Sequence, residues 1–196
     1  MYFNESEFRN CSEFQAIHDM YESHIADNKI LGALLSDYVD LASFYNNYNC
    51  LFTKAFTVAC GNAFERKLTS QIPSILSSDN PLALNFLQKQ ALDRKYHTLF
   101  DWDQKNANKF FGLFGTDFKQ FVQKLIECDE QIKQQQKDFL ELGKLRNLIV
   151  HKGIEAYSLT SDLDTIKMKF DNSLEFAIFF CNAFCNFFNH QNQKSA

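Results

Sequence analysis

The chain has 196 residues, of which 45% are hydrophobic, enough for a single core and too many for disorder over most of its length. Its formal net charge of -4 argues against a freestanding nucleic-acid binder that works through bulk charge, though a small local basic site remains compatible with it. No apolar run approaches the ~18 residues of a membrane span, and the start Met1-Tyr2-Phe3-Asn4-Glu5-Ser6-Glu7 lacks a signal peptide's basic and apolar blocks, so a cytoplasmic protein without a membrane partner is expected.

Only 2 prolines and 6 glycines interrupt the chain, which favours long helices, and 22 phenylalanines predict a core of aromatic rings rather than leucines. Residues 4–27 carry Phe8, Cys11, Phe14, Ile17, Met20 and Tyr21 at spacings of three and four, the period of an amphipathic helix. Asp27-Asn28-Lys29 reads as a polar break. A second helix is expected over 30–48, from Leu31, Leu34, Leu35, Tyr38, Val39, Leu41 and Ala42. Residues 49–77 are apolar on most sides, as in a helix running through the middle of a bundle. Gly61 there would permit close helix approach, and Pro73 marks a kink or a last turn.

Ser77 to Pro81 reads as a loop, with Pro81 opening a short helix over about 82–92. Residues 93–115 are ambiguous. Asp101-Trp102-Asp103 can start a short helix ending in Phe110-Phe111-Gly112-Leu113-Phe114-Gly115. Thr116 is a suitable N-cap for a helix over 117–128, with Asp117 in its first turn. The polar run Asp129 to Asp138 is either a solvated helix face or a bend. Phe139, Leu142, Leu145, Ile149 and Val150 then form a helical stripe closed by Gly153 as C-cap. After a loop containing Thr160-Ser161-Asp162, a last helix spans about 162–190 and ends in a polar tail. No alternating strand pattern occurs. The fold class expected is all-α, a helical bundle forming one domain over 1–196, with the helix over about 4–27 as an add-on.

The six cysteines contain no CxxC pair. Cys181 and Cys185 are four apart but lack a second pair of ligands, so they read as small buried thiols. No metal and no cofactor is expected.

The chemistry concentrates in Lys144-Leu145-Arg146-Asn147-Leu148-Ile149-Val150-His151-Lys152-Gly153. On a helix, Asn147 and His151 are four apart and share a face. Arg146 is one position round, with a planar guanidinium suited to bidentate phosphate binding. His151 can move protons near neutral pH, and Asn147 can hydrogen-bond either neighbour. Such a set could cleave a phosphodiester, His151 assisting proton transfer and Arg146 stabilising the phosphorane. The same two residues could instead cap helix carbonyls and complement the helix dipole. Single histidines are thin for acid plus base work, so a second copy across a symmetry axis would help.

Leu-Arg-Asn-Leu-Ile-Val-His-Lys-Gly near the end of a late helix resembles the signature of HEPN-domain proteins, an Arg, four to six residues, then a His. Lys152 intervenes where many members have His-Gly directly. Ala63-Phe64-Glu65, late in an apolar helix, resembles the acidic position of an early HEPN helix. Phe110 to Phe121 and Ser158-Leu159-Thr160 resemble the branch related to RiboL-PSP HEPN proteins. The likeness covers roughly residues 30–190.

The resemblance implies a bundle with long antiparallel helices and short extra ones, and a homodimer whose two motifs form one composite site across a cleft. It implies a metal-independent endoribonuclease of toxin–antitoxin, abortive-infection or other antiviral systems, with RNA as substrate and an antitoxin or other defence protein as a further partner. Carried over by position, Arg146 and His151 are catalytic and Asn147 supportive. Glu65 is a weaker candidate, equally readable as a salt-bridged carboxylate. Two rival readings follow from the same residues: a noncatalytic HEPN-like RNA- or protein-binding module, and a helical dimerisation domain with a capping Arg and His. Arg94-Lys95-Tyr96-His97 reads as a solvated basic turn rather than an RNA contact. Asp101 and Asp103 read as helix N-terminal acids rather than metal ligands. His18, His24 and His190 have no evident partners, and the Phe-rich last helix reads as core.

Overall fold

A computed structural model describes residues 2–35, 38, 41–77, 87 and 96–194, with side chains described as far as residue 189. Among the described residues there are eight helices and no strand. They are α1 (Glu5–Arg9), α2 (Ser12–Leu35), α3 (Ala42–Leu76), α4 (Tyr96–Leu99), α5 (Asn108–Gly112), α6 (Thr116–Glu127), α7 (Glu130–Lys152) and α8 (Leu163–Lys194). The all-α expectation holds. The helix expected over 82–92 lies outside the described residues.

Helices α7 and α8 form the most extensive pairing, and α3 packs on both of them and on α2. Both partners of the α7–α8 pair start on an aspartate. The Asp129 carboxylate accepts from the Gln131 and Ile132 amides at 2.8 and 3.2 Å, and that of Asp162 from the Thr165 amide at 2.8 Å. Each occupies amides that a helix start leaves without intrahelical partners. The Asp162 carboxyl is held below its ordinary value by hydrogen bonds from Thr165. Gly153 closes α7 with φ at 89°, a left-handed turn that side chains disfavour.

Phenylalanines outnumber leucines in the core. Phe14 meets Phe64 at 5.0 Å between ring centroids, Phe64 meets Phe139 at 5.7 Å, and Phe139 meets Phe176 at 5.5 Å. These contacts tie α2, α3, α7 and α8 into one apolar cluster. Each such pair contributes about 0.5–1.5 kcal/mol beyond the area it buries. Cys181 and Cys185 lie buried in this cluster as free thiols, and burial raises the pKa of both. No helix among the described residues is long and apolar enough to cross a membrane.

Several boundaries differ from expectation. The break in the first helical stretch comes at Asn10 and Cys11, and α2 runs straight through Asp27-Asn28-Lys29. Asp27 and Lys29 face solvent while Asn28 turns inward, so polarity there marks a face rather than an end. The helix expected over 30–48 is divided between the end of α2 and the start of α3. Its apolar residues Leu34 and Tyr38 stay over 60% exposed, at 61% and 62%. Thr116 is the first helical residue, not the cap: Gly115 precedes it with φ at 101°. Asp101 and Asp103 lie between α4 and α5, so they are not first-turn acids. Pro73 sits in the last turn of α3, where its carbonyl accepts from the Ser77 amide.

Candidate active site

Arg146 lies where α7 crosses α3. A Cβ on Gly61 of α3 would come within 2.6 Å of Arg146 Cγ and 2.9 Å of its Cβ, so glycine is what lets the arginine stem lie flat on α3. The guanidinium is only 15% exposed and turns toward α3. Its Nε and Nη2 donate to Asn62 Oδ1 at 3.0 and 2.8 Å, and Nη2 donates to Glu65 Oε2 at 3.1 Å. Nη1 donates to Asn147 Oδ1 at 3.1 Å. A guanidinium carries five N–H donors. Three oxygens take four of them, which leaves one N–H on Nη1.

That atom lies 3.4 Å from both ring nitrogens of His97. Equal distances mean that it approaches the ring between its nitrogens rather than along one lone pair, so the contact is not a strong hydrogen bond. His97 Nε2 stands 3.3 Å from Glu65 Oε1. Glu65 thus lies between the two side chains, one carboxylate oxygen toward each.

The placement of His97 depends on Trp102. The indole N–H donates to the His97 carbonyl at 2.8 Å, and the indole packs directly against Gly143 of α7. Tyr96 beside His97 is buried, and burial pushes its phenol far above its ordinary range. A narrow crevice lined by Gly61, Tyr96, His97, Trp102, Arg146 and Asn147 runs along this side. An open groove lined by Asn62, Glu65, Arg66 and Thr69 lies on the α3 side of the carboxylate.

The structure brings Arg146, Asn147 and Glu65 together and leaves His151 apart. His151 is in the last turn of α7, exposed, and makes no hydrogen bond or ion pair among the described residues. Five residues of helix place it about 7.5 Å along the axis from Arg146 and roughly 140° round it. Asn147 stands one turn before it on the same side. Arg146 therefore reaches toward α3, not toward His151, because a cation at this depth is paired rather than left bare.

Two members of the cluster were not singled out from sequence. Asn62 precedes Glu65 by three positions, a spacing that places both on one face of α3. The other is His97, whose basic sequence neighbourhood reads as a solvated turn. The other candidates have structural partners: Asp103 pairs with Lys144 at 2.8 Å, and the His18 ring stacks edge-on to Phe170. His24 is buried, stacked on Phe52, with its ring nitrogen 3.0 Å from Asn49 Oδ1. Burial holds its imidazole below the ordinary value, partly opposed by Asn49. The His190 side chain lies outside the described residues. Among the described residues, no three His, Cys, Asp or Glu side chains gather as metal ligands.

The family model described as RiboL-PSP-HEPN matches residues 22–190, a span that contains the whole cluster and His151. No curated protein and no solved structure matches the chain.

Proposed function

The chain belongs to the RiboL-PSP-HEPN family, and on that premise we propose that it is a metal-independent endoribonuclease, a toxin or antiviral-defence effector that acts as a homodimer. The observation that carries this reading is Arg146, held rigidly by Asn62, Glu65 and Asn147 with one Nη1 hydrogen left over, on the same helix as an exposed, unpaired His151. The spare N–H is a fixed donor for a non-bridging phosphate oxygen. It requires no reorganisation when charge develops on the phosphorane.

The chemistry is an in-line transesterification. The RNA 2′-oxygen attacks phosphorus and the bond to the 5′-oxygen breaks. A base takes the 2′-hydroxyl proton and an acid returns one to the leaving oxygen, so 2′,3′-cyclic phosphate and 5′-hydroxyl ends result. His151 fills one of these proton-transfer roles, and the partner protomer's copy of the motif fills out the site.

The test is cleavage of RNA in the presence of EDTA. Wild-type protein is expected to cut, and His151→Ala and Arg146→Ala to lose at least about a hundredfold in rate while remaining folded by circular dichroism. Wild-type rates in both variants would remove the assignment of the site. A second reading, a noncatalytic RNA- or protein-binding module, draws support from the burial of Arg146 and its neutralisation by Glu65. A folded protein that binds RNA but does not cut it would favour that reading.

A further inference from the structure

We propose that His97, sharing Glu65 with Arg146, sets how much positive charge this cluster offers to a substrate phosphate. The identification of that anion as an RNA phosphate rests on the ribonuclease reading. Glu65 is shared: Oε2 takes Arg146 Nη2 at 3.1 Å and Oε1 faces His97 Nε2 at 3.3 Å. With His97 neutral, Glu65 cancels the guanidinium and the cluster has no net charge. With His97 protonated, the imidazolium takes a share of the carboxylate and one positive charge is left over. Among the described residues, the one guanidinium N–H without an oxygen partner is on Nη1, beside the His97 ring. An anion arriving there meets Arg146 and His97 together.

The arrangement is built rather than incidental. The His97 backbone is fixed by the Trp102 indole at 2.8 Å, and Trp102 is seated on a glycine of the helix that carries Arg146. The imidazole itself is 44% exposed, so it is open to a ligand while its base is clamped. Among the described residues, the ionisable groups facing His97 are Glu65 from α3, Arg146 from α7 and its neighbour Tyr96. Tyr96 stays protonated throughout the range in which a histidine titrates, since burial raises it. Among the described residues, Glu65 and Arg146 therefore set the balance.

Linkage gives the sign. An anion that prefers protonated His97 must shift its titration to higher pH, and its affinity must fall as pH rises through that titration. The experiment follows the His97 imidazole by NMR in the full chain, with and without inorganic phosphate, using His97→Gln for assignment. It then measures binding of an uncleavable 2′-O-methyl RNA across pH for wild type, His97→Gln and His97→Arg. Phosphate is expected to move the His97 midpoint upward. Wild-type affinity for the oligonucleotide should fall about threefold to tenfold from the acid to the alkaline side. His97→Arg should remain tight and His97→Gln weak, both with flatter profiles, and in cleavage assays the change should fall on KM rather than kcat. A His97 titration indifferent to phosphate, or an unchanged pH profile in His97→Gln, overturns the proposal. Failure to cut RNA in EDTA would instead overturn the ribonuclease reading, and the phosphate titration stands independent of it.

Discussion

Gly143 shows how one missing side chain governs the site. A Cβ there would lie 2.1 and 2.3 Å from two carbons of the Trp102 ring. Alanine in a helix interior gains about 1 kcal/mol over glycine, whereas overpacking a rigid ring costs about 1–3 kcal/mol. A rigid indole cannot bend away, so the clash wins. Gly143→Ala is expected to destabilise the protein by a net of up to about 2 kcal/mol in urea unfolding. Trp102 is the chain's only tryptophan, so its emission reports the displacement directly and should move to the red. Cleavage should weaken as well, because Trp102 anchors His97. Wild-type stability with unshifted emission would show that the indole does not rest on Gly143. At this scale the site was legible in part. Arg146, Asn147 and His151 stand close in sequence, and Gly61 was readable as a point of close approach. His97 was not, because its link to Arg146 spans 49 residues and passes through an irregular segment with no periodicity to follow.

Helix identity was more legible than helix ends. Apolar spacing of three and four located α3, α7 and α8, since each buries a stripe against the same core. It failed at Asp27-Asn28-Lys29, where polarity marks a face rather than an end, and it left Asp129 to Asp138 open between a helix face and a bend. The second run lies at the cap and start of α7, so the helix face is what forms, and one side of it is buried rather than solvated, at Gln135, Gln136 and Asp138. Asp138, 1% exposed, receives Lys169 of α8 at 3.3 Å and the Asn172 amide at 2.8 Å, and Glu141 takes the same lysine at 2.8 Å. Burial pushes the Lys169 ammonium down, but the hydrogen bond and charge of Glu141, together with Asp138, outweigh it, and the net shift is upward. A raised lysine contributes its full stability below the unfolded-state value and loses it as pH climbs through the folded one. The clamp is therefore intact at neutral pH and released only in strong alkali. Lys169→Met should cost about 3 kcal/mol at neutral pH, because it leaves a buried carboxylate without its cation. Removing both charges with Asp138→Leu and Lys169→Met should recover more than half of that loss. Equal losses in the single and double variants would show that packing, not the ion pair, joins α7 to α8.

At the scale of the whole molecule, the separation of Arg146 from His151 decides how a reaction could be assembled. Within one chain the guanidinium faces α3 and the imidazole stands alone in the last turn, a turn and a half away along α7. A phosphate held at Nη1 of one protomer needs a proton-transfer group beside it, and the His151 of the same chain stands roughly 140° round α7 from that side. A second chain related by a two-fold axis would bring a second motif against the first, each contributing what the other lacks. Mixing separately inactive Arg146→Ala and His151→Ala chains tests this. After exchange, about half of the dimers are mixed, and each mixed dimer holds one intact arginine and one intact histidine in different protomers. Activity is expected to rise well above that of either variant alone. It should also fall faster than linearly when wild-type protein is diluted through its dissociation range. Linear dilution across that range, with no gain on mixing, would confine catalysis to a single chain. The cluster of Arg146, His97 and Glu65 would then have to act with His151 through a rearrangement of α7.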